Sequence, residues 1–342
     1  MRRMRHPLVW GSISIVLLGL LAWRSRAWEL GDRLGTADWR LLAVAVALNV
    51  VVVVAWAVRS AGLLAGAGSP VAVAPLVPMT AFANTINNLT PGSVGELVRL
   101  FLLRAHHGVS YTTGGAVVIV ERLVAIADLG ASAAILWAAW WLDLPPVVTA
   151  LAVIVALALP SVVYGTGLRP IGRIGGLPLT RALGAERWTA AGRALARLDE
   201  AVARLMTDVF RAAEFAGWSA VIFAAYTVQL LLVGAAIGRE LDPAAAWGAL
   251  GLGIVAGVVS LLPFGLGSTD LVVVGLLSVT GVPAADGVAI VFGYRVVSTV
   301  PLGLLGVISY AQLSASLPDG RPYAAARLAT LGIEHEQETG PP

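Results

Sequence analysis

Pro91-Gly92-Ser93-Val94-Gly95-Glu96-Leu97-Val98-Arg99 breaks a long apolar stretch with a proline, two glycines and two charges. A second stretch, Pro263-Phe264-Gly265-Leu266-Gly267-Ser268-Thr269-Asp270-Leu271, likewise has a proline and two glycines, with one charge. Landmarks around the two recur at one spacing. Pro70 and Pro243, Gly108 and Gly281, and Arg122 and Arg295 each differ by 173 in residue number. The match of Gly95-Glu96 to Gly267 and Asp270 is looser and needs a small insertion. Two related halves, each with an interrupted helix and ionisable groups inside apolar sequence, are the pattern of a membrane transporter.

Composition supports a polytopic membrane protein. Of the 342 residues, 58% are hydrophobic and 13% charged. The mean hydropathy is +0.84. A soluble domain carries about twice that share of charge. The 23 basic residues are all Arg, a side chain suited to bidentate phosphate contacts. The absence of Cys excludes disulfides, cysteine-zinc sites, iron–sulfur clusters and thiol catalysis. His106 and His107 are adjacent, so on a helix they point about 100° apart and make a poor metal site. The net charge of +3 belongs to cytoplasmic loops and carries no signal for nucleic acid.

Apolar runs predict helices at about 7–24, 39–64, 113–142, 147–168, 216–238 and 284–313, each near the ~20 residues that cross a bilayer. The first begins Met1-Arg2-Arg3-Met4-Arg5-His6, as a signal peptide does. Trp23-Arg24-Ser25-Arg26 follows instead of a small-residue cleavage site, so it reads as a retained span. Residues 70–107 and 243–281 are each broken in the middle, and their second arms, about 95–107 and 268–280, are short. Each region reads as a re-entrant hairpin that enters and leaves on one side. Broken backbone at membrane depth is tolerated only against protein or water, so the breaks are expected to line a cavity.

Counting Arg in the loops places both termini in the cytoplasm, with Arg59 and Arg104 taken as inner markers beside the first hairpin. The two repeats, about 39–142 and 216–313, then run in opposite senses. Between them lies a basic connector at about 169–215. In it Trp188, Ala191, Leu195, Leu198, Val202, Leu205 and Val209 form one helical face, opposite Arg193, Arg197, Glu200, Arg204, Asp208 and Arg211. That face suits an interfacial helix on an anionic leaflet or a plain solvated connector. The expected membrane unit is 1–316, followed by a flexible cytoplasmic tail at 317–342.

Glu96 sits at the start of a short helix, where a carboxylate accepts backbone N–H bonds and meets the positive end of the dipole. Arg99 lies on the same face, three residues on. Asn84, Asn87 and Asn88 share one face of the preceding arm and can bind a headgroup or glue helices. Glu121 and Arg122 point apart and need different partners, with Asp128 near the Glu121 face. Arg122 cannot deprotonate and needs an anion. Arg295, beside Tyr294, is its counterpart. The two arginines can clamp a phosphate, or they can lock structurally, Arg122 to Glu96 and Arg295 to Asp270. Pro91, Gly92, Gly95, Pro263, Gly265 and Gly267 are the break residues. Ser268 and Thr269 are candidate helix caps, and no Lys follows the glycines as in a nucleotide-binding loop. No catalytic, metal or cofactor constellation stands out.

Asn87, Pro91, Gly92, Gly95, Glu96 and Arg99, followed by Gly108-Val109 and Glu121-Arg122, resemble the transmembrane flippase-like domain of bacterial lysylphosphatidylglycerol synthases. Pro263, Gly265, Gly267 and Asp270, with Gly281-Val282, Tyr294-Arg295 and Pro301, look like that family's second signature. The resemblance covers about residues 10–315 and departs from it in having Asp270 where Glu is expected. It implies a domain that moves anionic or aminoacylated phospholipid, or a polyprenyl-phosphate-linked lipid, across a bacterial plasma membrane. The aminoacyl-transferase domain of that family has no counterpart after the last apolar run, so synthesis is not carried over. Membrane lipids are the expected partners, with a separate lipid-modifying or glycosyl-transfer enzyme as a further one. The alternatives are an ion-coupled carrier of a small anion and a non-transporting membrane partner of such an enzyme.

Overall fold

The computed structural model describes residues 35–90, 94–166, 196, 199–200, 202–260 and 265–315. All regular elements among them are helical. In chain order they are α1 (Trp39–Gly66), α2 (Val73–Leu89), α3 (Val94–His107), α4 (Tyr111–Trp141), α5 (Pro146–Gly165), α6 (Val209–Ala236), α7 (Pro243–Ser260), α8 (Ser268–Val279) and α9 (Ala284–Ala315). Five helices are long and apolar enough to cross a membrane: α1, α4, α6, α7 and α9. Their outward faces are apolar, with Val50, Val259, Leu304 and Val307 exposed. Water would penalise so much exposed apolar surface, and lipid does not. The run expected at 7–24 lies outside the described residues.

α1 and α6 form the central pair, and their sequences explain why they match. Each has 28 residues. Each is started by an aspartate cap. Asp38 accepts from the Arg40 N–H at 2.9 Å, and Asp208 accepts from the Phe210 N–H at 3.1 Å. Each is followed by a glycine with positive φ, Gly68 at 75° and Gly238 at 74°. The two helices run antiparallel. At one end the Asp38 N–H donates to the Ala236 carbonyl at 2.9 Å. At the other, Arg211 reaches the Gly62 carbonyl.

The remaining helices interlock across this pair. α2 packs on α9, and α7 packs on α4. Small residues allow the close approach. Gly306 of α9 has no room for a Cβ because Thr85 of α2 lies against it, and Thr85 Oγ donates to the Leu302 carbonyl at 3.1 Å. In the other crossing, Gly251 of α7 lies against Ala133 of α4. α2 with α3, and α7 with α8, form two helical hairpins. α3 has 14 residues and α8 has 12. At ~1.5 Å rise per residue both fall short of a ~30 Å hydrocarbon core.

Four readings from sequence are corrected or refined here. Arg59, taken as an inner marker within the 39–64 span, is enclosed by protein at 8% exposure. The helix at 113–142 is not regular, because Val120–Val124 forms a π turn. That turn accommodates one extra residue, so seven residues no longer make two turns and Asp128 does not follow Glu121. α7, expected as the first arm of a hairpin, reaches 18 residues and by length and composition also qualifies as a span. Within the described part of the connector, Val202, Ala203, Leu205 and Met206 are buried in a core with Leu63, Leu64 and Phe215. That short face therefore meets protein rather than a leaflet. Of the connector, 169–195, 197–198 and 201 lie outside the described residues, as does the tail.

Candidate functional site

A cavity of about 350 Å³ lies between the two hairpins and the central pair. α1 contributes Arg59, α2 contributes Asn84, Asn87 and Asn88, and α4 contributes Glu121 and Arg122. α6 adds Tyr226, and α9 adds Tyr294, Arg295 and Ser298. Both breaks border the cavity, the first through Thr90 and the second through Gly265 and Thr269.

Each half places an arginine of its long helix against a carboxylate at the start of its short helix. Arg122 Nε donates to Glu96 Oε1 at 2.9 Å, and its Nη2 reaches the same oxygen. Arg295 Nε donates to Asp270 Oδ1 at 2.9 Å. In both pairs the guanidinium is the more open partner. The side chains are 39% and 12% exposed for Arg122 and Glu96, and 22% and 3% for Arg295 and Asp270. An anion entering the cavity therefore meets arginine before carboxylate.

The carboxylates are anchored differently. Glu96 also accepts from Asn87 Nδ2 at 2.9 Å, and its Oε2 forms an ion pair with Arg99, 3.3 Å from Nε. Asp270 holds its own helix start, its Oδ2 accepting from the Gly267 N–H at 2.9 Å. The cap of α8 is thus Asp270 rather than Ser268 or Thr269, and Ser268 Oγ instead donates to the Gly265 carbonyl at 3.2 Å. Gly265 and Gly267 have φ of 59° and 86°, a region that costs residues with a Cβ. Gly95 is required for space. A Cβ there would collide with the Ala83 carbonyl and the Asn87 side chain.

Behind Glu96 lies a second buried group. Glu121 accepts from Arg99 and from Ser60 Oγ, and Arg99 Nη1 reaches Ser60 Oγ at 3.3 Å. Glu121 and Arg122, adjacent in sequence, thus take different partners. Asp128 turns away and lines a larger cavity of about 680 Å³ with Ser132, Ser219 and Trp247.

The structure thus brings Asn84, Asn87, Asn88, Glu121, Arg122, Tyr294 and Arg295 to one cavity, with Glu96, Asp270 and Arg99 directly behind it. Pro91, Gly92 and Pro263 lie outside the described residues. Sequence reading missed Arg59, Ser60, Ser219 and Tyr226 as site residues. Arg59 had a signal, a charge within an apolar run, but it lies near the run's end and was read as an inner marker. The two serines had none.

These features define a polytopic helical membrane protein with an arginine-lined cavity between two helical breaks. The family described as the lysylphosphatidylglycerol synthase TM region matches residues 4–306, and the chain belongs to it. Comparison with curated proteins finds no match. The family and the helical membrane architecture fit a lipid-related membrane role.

Proposed function

We propose that the chain translocates an anionic phospholipid, an aminoacyl-phospholipid or a polyprenyl-phosphate-linked lipid across a bacterial plasma membrane. The observation that carries this reading is the matched pair of arginine–carboxylate contacts, Arg122–Glu96 and Arg295–Asp270, on one cavity bordered by both breaks. In the empty site each carboxylate neutralises its arginine. A lipid phosphate replaces the carboxylates as the acceptor, and bidentate N–H donation to phosphate is what guanidinium geometry suits. Glu96 and Asp270 are then available to a proton or to a substrate amine. No bond is made or broken, so the protein acts as a carrier rather than an enzyme.

In this reading the antiparallel α1 and α6 relate two inverted repeats, and the hairpins α2–α3 and α7–α8 meet from opposite sides. Six full spans and two re-entrant hairpins, with both termini cytoplasmic, complete the arrangement. A separate lipid-modifying or glycosyl-transfer enzyme supplies or consumes the lipid.

The test is a leaflet-accessibility assay on the purified protein in liposomes. Labelled phosphatidylglycerol, aminoacyl-phosphatidylglycerol and a polyprenyl phosphate are followed beside Arg122→Ala/Arg295→Ala. Movement of at least one lipid, lost in the double variant, is expected. No movement of any of them, with or without a proton gradient, overturns the reading in favour of the small-anion carrier or the non-transporting partner.

A further inference from the structure

Arg59 differs from the other arginines of the site. It is 92% buried, from its 8% exposure, and it lines the cavity. Yet among the described residues its guanidinium forms no ion pair, while Arg99, Arg122 and Arg295 all do. Its Nη1 donates to Ser219 Oγ at 3.0 Å, and its guanidinium carbon sits 5.2 Å from the Phe215 ring centre. Its Nε has no acceptor. The carboxylates whose fields reach it, Glu121 and Asp128, are turned elsewhere. Glu121 is taken by Arg99 and Ser60, and Asp128 lines the larger cavity together with Ser219. A buried arginine without a carboxylate is costly unless an anion completes it.

The central pair shows that this charge belongs to one half only. Shifting α1 by the interval between its cap Asp38 and the α6 cap Asp208 turns Arg59 into Gln229 and Ala45 into Phe215. The contacts follow the same exchange. Arg59 lies over Phe215, and Gln229 Nε2 donates to the Ala45 carbonyl at 2.9 Å. At equivalent places on a pseudo-symmetric pair, one half carries a permanent cation at the cavity and the other a neutral amide that ties the helices together.

We propose that Arg59 is the resting anion contact of the cavity, receiving the substrate phosphodiester while Glu96 and Asp270 still hold Arg122 and Arg295. The inference rests on the lipid-translocation reading and deepens it. Of the four arginines around the site, Arg99, Arg122 and Arg295 are ion-paired to Glu121, Glu96 and Asp270. That leaves the Arg59 guanidinium without an ion pair among the described residues. A phosphodiester brings one negative charge to match it, whereas a phosphomonoester brings roughly 1.5 to 2 at neutral pH. Arg59 engages first because no ion pair must break. Arg122 and Arg295 follow by exchanging a carboxylate for the phosphate.

The experiment measures binding of three probes to the full chain in detergent: phosphatidylglycerol with a labelled acyl chain, labelled diacylglycerol, and water-soluble glycerophosphoglycerol. Arg59→Gln is expected to weaken phosphatidylglycerol binding by about tenfold or more, as for a lost charged hydrogen bond, and to leave diacylglycerol unchanged. Arg59→Lys is expected to recover part of the loss. Wild-type affinity for phosphatidylglycerol in Arg59→Gln overturns the role of Arg59 and leaves the lipid reading standing. No phosphatidylglycerol binding by the wild-type chain overturns the proposal, whereas the lipid reading falls only if none of the three lipids moves in the liposome assay. Equal affinity for the soluble and lipid forms keeps Arg59 as the anion contact and removes the lipid as its source. Should Arg59→Gln not fold, Ser219→Ala carries the test, since it keeps the charge but releases the guanidinium. A loss of about threefold confined to phosphatidylglycerol is expected, and unchanged affinity overturns the proposal.

Discussion

The two halves carry the same outer ion pair but differ in what stands behind it. In the first half Glu96 is backed by Arg99, Glu121 and Ser60, a buried polar layer. In the second, the interval relating Arg122 to Arg295 puts Val272 and Tyr294 at the places of Arg99 and Glu121. Close packing replaces polar contacts there. Gly253 of α7 sits against Val273, and Gly257 sits against Thr269. The difference separates what the cavity shares from what each hairpin needs. The exposed arginines are matched, whereas the means of fastening each hairpin is particular to its half.

Breaking the polar layer should have the largest effect on stability. Glu121→Gln leaves Arg99 buried with only Glu96, and removing one partner of a buried ion pair costs about 3–5 kcal/mol. Thermal unfolding in detergent measures it. Replacing the pair together, as Arg99→Met/Glu121→Leu, is expected to recover at least half of the loss, because the second half already works with apolar residues there. A double variant no better than the single one would show that the layer does more than fasten α3.

Crowding gives the next effect. Gly95→Ala forces α3 away from Ala83 and Asn87, and overpacking costs about 1–3 kcal/mol. Gly275→Ala on α8 meets open space and should be neutral or slightly stabilising. Equal melting temperatures for the two would remove the close approach of α2 and α3 from the account. The smallest effect is expected of Asp270→Asn. It weakens the helix start at Gly267 by about 1 kcal/mol and loosens Arg295, so phosphatidylglycerol affinity should rise as stability falls. A fall in both would mean that Asp270 itself helps to hold the lipid.

Most of the helical frame was legible in the sequence because apolar length and breaker residues decide it locally. The short arms at 94–107 and 268–279 follow from the breaks before them and the positive-φ glycines after them, Gly108 and Gly281. The pairing of Arg122 with Glu96 was legible too, since a permanent cation in apolar sequence needs an anion. What escaped depended on tertiary register. A π turn has no local signature at Val120–Val124, so the separation of Glu121 from Asp128 could not be read. Arg59 is an Arg near the end of an apolar run, and only the packing of α6 against α1 shows that it is enclosed. Ser60 and Ser219 matter only through their neighbours.

The central claim is that two matched arginines on one cavity carry the lipid anion. It is tested most directly by single variants, Arg122→Ala and Arg295→Ala, in the liposome leaflet assay on protein whose folding is verified by thermal unfolding. The account predicts that each alone slows lipid movement by about tenfold or more, to similar extents, as expected for loss of a charged contact to phosphate. Unimpaired movement in both would contradict it.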